Sequence, residues 1–364
     1  MAPPGPILPR VIPVGRVTLQ TVADKVGVSR MTVSNAFSKP DQLSAPLRTK
    51  ILDAAQALGY PGPDPAARAL VRGTSGSVGV LMTDSLSYAF TDEVATGFLS
   101  AITEELEPTG MALTLLTSTS QGDAVPARDV PMDGALVYSC DGFSAAVEWL
   151  VRRDLPLVFV DQAPVDDRPS VNVDDRAGAR AAAQHLLDLG HRRIGILTGE
   201  LAEPHGFVDA DEASDHYVSR QRMLGWTDAL RAAGLEPVVV REPLSPEDAA
   251  YRGGRLLLET EDRPTGILCF SDVMAHWVVR AAEDLGITVP DDLSVVGFDD
   301  NPLARRLRPS LTTVRQPIAE KGRVAAAALT AAIEAGRSGR PVEPEHVVLP
   351  TELVVRGSTG PAPA

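Results

Sequence analysis

Apolar residues change their spacing near residue 76, and the change divides the chain into two kinds of structure. Ahead of it, Leu19, Val22, Ala23 and Val26 fall at i, i+3, i+4 and i+7, one face of a short helix. Gly27 suits a tight turn, and Ser29 can cap a second helix whose inward face is Val33, Ala36 and Phe37. A third helix is predicted from Ser44, burying Leu47, Ile51, Ala54 and Leu58 and stopping at Gly59. Two short helices joined by a glycine turn and braced by a third make a helix-turn-helix.

Beyond residue 76 the apolar runs become continuous and of strand length: "SVGVLM", "ALTLLTS", "GALVYSC" and "LPLVFVDQ". Helical segments such as 94–106 and 145–152 separate most of them. A second series follows, "SVNVDD", "RIGILTG", "PVVVREP", "TGILCFSD" and "LSVVGFDD". Strands rich in Val, Ile and Leu between helices predict parallel sheets covered on both faces. Nine such units exceed one sheet of ordinary width, so an α/β body of two lobes is expected. The first crossover between lobes is expected at 161–169 and a later one in "LRPSLTTVRQP". The resulting division is a tail at 1–16, a helix-turn-helix head at 17–60, a hinge at 61–76 and a two-lobed body at 77–364.

Open parallel sheets bind ligands beyond the carboxyl ends of their strands. The residues there are Asp84, Tyr138 with Ser139, Asp161, Ser271 with Asp272, and Asp299 with Asp300. Repeated carboxylates suit a polyol, because each oxygen pair accepts from adjacent hydroxyls. Any single Asp there is more often a helix cap, and it is several in register that point to a binding cleft. Tyr88 and Phe90, after the first strand, are placed either to stack on a ring or to pack within the lobe.

Charge sharpens the picture of the head. Residues 1–73 hold nine Lys or Arg against four Asp or Glu, whereas the remainder holds 25 against 44 within an overall net charge of −14. A basic head on an acidic body points to a polyanionic partner for the head. The second helix turns Arg30, Met31, Thr32, Ser34, Asn35 and Ser38 outward, a polar face suited to the major groove of DNA. A plain three-helix bundle with a solvated face is the alternative.

Other chemistry is poorly represented. No GxSxG, P-loop, GxGxxG or CxxC pattern occurs, which argues against an enzyme or a cofactor. Cys140 and Cys269 are too few for a disulfide framework or a metal site and are expected to be buried thiols in a reducing cytoplasm. No apolar run is long enough for a membrane, and the proline-rich first fifteen residues make a poor signal peptide. The stretch "GELAEPHGFVDADEASDHYVS" gathers His205, Asp209, Asp211, Glu212, Asp215 and His216, but their spacing fits no metal-ligand template. It is expected to be an acidic, solvated loop.

"VTLQTVADKVGVSRMTVSNAF", "LGY" and "AARALVRG" resemble the DNA-binding end of the lactose-repressor (LacI/GalR) family. Gln20 with Thr21, and Lys25 with Val26, depart from that family's usual pattern without affecting the fold. The resemblance implies that Arg30, Met31 and Asn35 read bases, and that Thr18, Ser29, Thr32 and Ser34 hold phosphates. It also implies that Leu70, on a proline-stiffened linker, wedges into the minor groove of the operator. A plain interdomain tether is the other reading of that segment.

"HLLDLGHRRIGILTG", "SRQRMLGW", "VVGFDD" and "LTTVRQP" extend the resemblance through the body, itself similar to periplasmic sugar-binding proteins. It places Asp161, Arg222 and Asp299 at effector-contacting positions. Ser271 stands where many members have Asn, and Tyr138 where relatives have a smaller polar residue. The function implied is a repressor, a homodimer on a palindromic operator, controlled by a small effector, with a sugar favoured over a nucleoside or sugar phosphate. A sugar-binding receptor or an α/β enzyme are weaker alternatives. The C-terminal "VVRGSTGPAPA" carries no leucine heptads of the kind that build a tetramer.

Overall fold

The computed structural model describes residues 17–64, 69, 73–82, 86, 88–118, 125–139, 144–200, 205–212, 214, 216–243, 247–340 and 343–363. The tail at 1–16, Leu70, Asp84, Cys140 and Asp215 lie outside the described residues, as does the side chain of Tyr88. The chain divides into two compact units, Met1–Ser75 and Gly76–Ala364.

The described residues of the first unit include the α-helices α1 (Leu19–Val26), α2 (Arg30–Ser38) and α3 (Ala45–Ala57). The Thr18 hydroxyl accepts from Thr21 N–H at 3.4 Å, and Thr18 N–H donates to Thr21 Oγ1 at 3.2 Å, a reciprocal cap. Gly27 ends α1 at φ 80°, a left-handed turn that glycine adopts without steric cost. Val22, Ala23, Val33, Ala36, Ile51 and Ala55 form the core. Ala55 therefore takes the inward place expected for Ala54, one turn below Ile51, while Leu47 and Leu58 are partly buried at its edge.

The described strands of the second unit form two sheets. In the first, β1 (Ser77–Met82), β2 (Ala112–Thr117), β3 (Ala135–Tyr138), β4 (Leu157–Val160), β5 (Ser170–Val173) and β12 (His346–Leu349) run parallel in the order β12-β5-β4-β3-β1-β2. The second has the order β13-β11-β10-β9-β6-β8-β7. Its strands are β6 (Ile194–Glu200), β7 (Gly206–Val208), β8 (Val238–Pro243), β9 (Gly266–Cys269), β10 (Ser294–Asp299), β11 (Thr312–Arg315) and β13 (Glu352–Val354). Only β7 and β13, its two edges, pair antiparallel among the described strands. Each sheet is covered on both faces by apolar clusters, which is why its inner strands read as unbroken hydrophobic runs.

The chain crosses between lobes after β5, after β11 and after β12. The expected first crossing at 161–169 is corrected: that segment joins β4 to β5 within one sheet, and the crossing follows at Asp174. The later crossing lies at the end of "LRPSLTTVRQP", whose middle forms β11. The first and third crossings meet where Thr351 Oγ1 donates to the Asp174 carbonyl at 2.9 Å. A side chain at Gly178 would strike Thr351 and Val314 there, so glycine permits the close approach.

Candidate functional site

The outward face of α2 is accessible. Arg30 is exposed and Met31 is 69% exposed, while Thr32, Ser34 and Asn35 are half-buried. Ser29 caps α2, accepting from Thr32 N–H at 3.1 Å, and its hydroxyl lies 2.8 Å from Thr32 Oγ1. Asn35 Nδ2 donates to Gln42 Oε1 at 3.2 Å, which fixes the amide plane. Arg48 Nε donates to the Ala36 carbonyl at 3.2 Å and ties α3 to the end of α2. Gln42 and Arg48 carried no sequence signal beyond their polarity.

In the body, the positions expected beyond the strand ends carry unusual backbone geometry. Of the five described non-glycine residues with positive φ, four lie there: Ser139 at 51°, Asp161 at 55°, Asp299 at 114° and Asp300 at 54°. Such conformations cost about 1–3 kcal/mol each and concentrate at functional sites.

Asp161, Arg222 and Asp299 meet in one buried network. Lys321 Nζ, on the helix Ile318–Arg337, donates to Asp161 Oδ2 at 2.5 Å and to Gln316 Oε1 at 2.9 Å. Gln316 Nε2 donates to Asp299 Oδ1 at 2.7 Å. Arg222, on the helix Tyr217–Ala232, reaches the same oxygen at 3.5 Å, donates to Asp175 Oδ1 at 2.8 Å, and donates through Nη1 to the Phe270 carbonyl. Its guanidinium lies 3.6 Å from the centroid of Phe298 and 4.6 Å from that of Phe270. Burial pushes Asp299 up to about 7 against the opposing pull of Arg222. Asp175 is raised for the same reason, again with Arg222 opposing.

The remaining expected residues fall around this network in different ways. Tyr138 stacks on Phe98 at 4.5 Å, and both rings face the Lys321 ammonium at 5.7 and 6.0 Å. Phe90 is exposed, on the short helix Tyr88–Thr91. Ser271 caps the helix Asp272–Asp284, accepting from Met274 N–H at 3.2 Å. Asp272 is fully buried, accepting from Thr313 Oγ1 at 2.5 Å and from Asn301 N–H at 2.9 Å. Both its oxygens are thus engaged within the second lobe, so it shapes the turn after β10.

Asp175, Gln316 and Lys321 were missed in the sequence. Lys321 did leave a trace: it sits four residues before Ala325 and eight before Leu329, on the buried side of its helix. The acidic insertion is an edge structure. Its β7 pairs with β8, Asp211 accepts from Arg231 at 2.7 Å and Glu212 from Arg241 at 2.9 Å. Among the described residues no cluster of His, Cys, Asp and Glu could hold a metal ion.

Comparison with known proteins agrees with both halves. Residues 18–62 match the bacterial regulatory proteins of the lacI family, and residues 183–359 match the periplasmic binding protein-like domain. An HTH-type transcriptional regulator of Mycolicibacterium smegmatis is 40% identical over 371 residues, covering 97% of this chain and 98% of its own length. The lac repressor dimer bound to operator and the anti-inducer ONPF is similar with a TM-score of 0.75 and 26% identity, over 94% of this chain and 99% of that one. The transcriptional regulator CelR in complex with cellobiose has a TM-score of 0.67 and 27% identity, over 94% of this chain and 100% of that one. No described helix is long and apolar enough to cross a membrane. With a DNA-binding helix-turn-helix head, a periplasmic-binding-protein-like body and full-length similarity to named regulators, the chain belongs to the lacI family of bacterial transcriptional regulators.

Proposed function

We propose that the protein is a homodimeric repressor of a palindromic operator and that a sugar bound between its lobes sets its operator affinity. The observation that carries this reading is the convergence of Asp161, Arg222 and Asp299 from three distant stretches into one buried network at strained strand ends. A guanidinium and carboxylates so placed can clamp neighbouring hydroxyls through charge-assisted hydrogen bonds. The solved relatives supply the analogy, one a dimer on operator DNA and one holding cellobiose.

In this reading residues 17–60 bind DNA, 61–76 form the hinge, and 77–364 bind effector and dimerise. Arg30, Met31 and Asn35 read base edges; Thr18, Ser29, Thr32 and Ser34 hold phosphates; Leu70 wedges the minor groove. Asp84, Tyr88, Phe90, Tyr138 and Ser271 border the effector, and Asp272 supports the second wall. The effector acts by preferring one arrangement of the lobes, and their rotation changes the spacing of two paired hinges.

The test is selection of operators from random duplex DNA with the full-length protein, then fluorescence anisotropy on the selected operator while sugars are titrated. A palindromic consensus and a sugar that shifts the binding curve are expected. Absence of any consensus overturns the operator assignment, and a curve no sugar moves overturns the effector assignment. Leu70→Ala is expected to weaken specific operator binding with effector affinity unchanged; wild-type operator affinity in that variant removes the wedge.

A further inference from the structure

We infer that Asp175 is a specificity-determining residue of this cleft, and that with Asp161 it selects an uncharged, hydroxyl-rich effector over phosphorylated, carboxylated or amino counterparts. The inference deepens the sugar reading and rests on it.

Two carboxylate oxygens are left over when the network is traced. Asp161 is 5% exposed and Asp175 2% exposed, yet among the described residues Asp161 Oδ1 and Asp175 Oδ2 have no hydrogen-bond partner. Buried acceptors are rarely left in that condition unless a ligand or water completes them. Their sister oxygens are fixed, Asp161 Oδ2 by Lys321 and Asp175 Oδ1 by Arg222, so both carboxylates are held in place. A continuous run of contacts through Lys321, Gln316, Asp299 and Arg222 joins Asp161 to Asp175, although Asp161 follows a strand of the first lobe and Asp175 opens the first helix of the second.

The cations around them are already engaged. Arg222 serves Asp175, Asp299 and the Phe270 carbonyl, and Lys321 serves Asp161 and Gln316. What the two orphan oxygens lack is a donor. A hydroxyl supplies one proton to each orphan oxygen and adds no charge. A phosphate or carboxylate brings further acceptors and meets three carboxylates, while an ammonium meets the two cations already seated there. An uncharged polyol with two suitably placed hydroxyls fits both requirements. Asp175 is absent from the positions read by resemblance because it enters the cleft on the first crossing, one residue after Asp174 caps its helix.

The experiment uses the full-length protein, thermal shift and calorimetry. The probes are neutral monosaccharides, disaccharides and cyclic polyols, the corresponding monophosphates and sugar acids, and amino sugars. Neutral compounds alone are expected to bind. Asp175→Asn keeps an acceptor for Arg222 Nε while replacing the orphan oxygen, and is expected to weaken the neutral ligand about tenfold or more. Its ligand-free melting temperature is expected to stay within about 2 °C of wild type or rise, an outcome a purely structural role would not give. Preferential binding of a sugar acid or an amino sugar overturns the inference and leaves the sugar reading standing, as does wild-type affinity in Asp175→Asn, whereas preferential binding of a monophosphate overturns both. Failure of every probe overturns the sugar reading, and the inference falls with it.

Discussion

His216 Nε2 and Ser139 Oγ stand 2.9 Å apart and belong to different lobes. Ser139 is the strained residue beyond β3, and His216 caps the helix that carries Arg222. His216 Nδ1 accepts from Ser219 N–H at 3.4 Å, so the ring proton is assigned to Nε2 and donates to Ser139. The contact is thus an interlobe hydrogen bond made by a neutral imidazole.

Burial lowers the His216 pKa, with Glu200 and Asp161 opposing and Arg222 assisting. A depressed histidine contributes stability that is present above its unfolded value of about 6.5 and lost as pH falls below it, because the unfolded chain then binds the proton more readily. Melting curves of wild type and His216→Gln between pH 5 and 8 should therefore converge at the acid end. Ser139→Ala should weaken effector binding by a few-fold without unfolding either lobe. Parallel pH profiles for wild type and His216→Gln would refute the assignment.

Arg222 has two duties, and its removal should show both. Arg222→Ala leaves Asp175 and Asp299 buried without their shared counter-charge, a loss of about 3–5 kcal/mol for a broken buried pair. Chemical denaturation should report that loss, and operator release by effector should vanish. A variant of wild-type stability that has lost only its effector response would show that the ion pair contributes nothing to the fold.

Asp299 behaves in the opposite sense to His216. Its pKa, pushed up to about 7 by burial against Arg222, means that folding takes up a proton between about pH 4 and 7. Its contribution therefore declines as pH rises through that window. Asp299→Asn should flatten this slope and gain relative stability at pH 8, measured by differential scanning calorimetry.

In the head, Gln42 orients the amide of Asn35. Asn35→Ala should cost about 1–3 kcal/mol at one base pair and relax preference there, with little change in nonspecific binding. Gln42→Ala should blur the same position more weakly. Binding-site selection returning one unchanged consensus for all three proteins would remove Asn35 from base reading.

The head was legible because helical spacing, a glycine turn and a serine cap all agree over residues 18–38. The alternation of strands and helices was equally plain, but hydrophobic runs do not say which sheet they join. The pattern alone therefore groups "SVNV" with the second lobe, whereas β5 lies beside β4. The short strands β7, β12 and β13 escaped because edge strands are half exposed, as the exposed Phe207 and Val348 show. Asp161 and Asp299 stand out by position and by resemblance, and Arg222 by resemblance. Gln316, Lys321 and Asp175 reach the same place only through the crossings, which no local pattern encodes.

The three crossings set an order of events during synthesis. The helix Ile318–Arg337, whose Ala325, Leu329 and Ile333 pack in the same cluster as Val80, Phe98 and Val160, leaves the ribosome only after β6 through β11 have been made. β5 gains its outer neighbour β12 later still. Until then the first lobe exposes a bare apolar sheet face while the second is nearly complete, so the nascent chain is most vulnerable to aggregation or chaperone capture in its earlier-made half. Although it emerges first, that lobe finishes folding only when residues near 349 arrive.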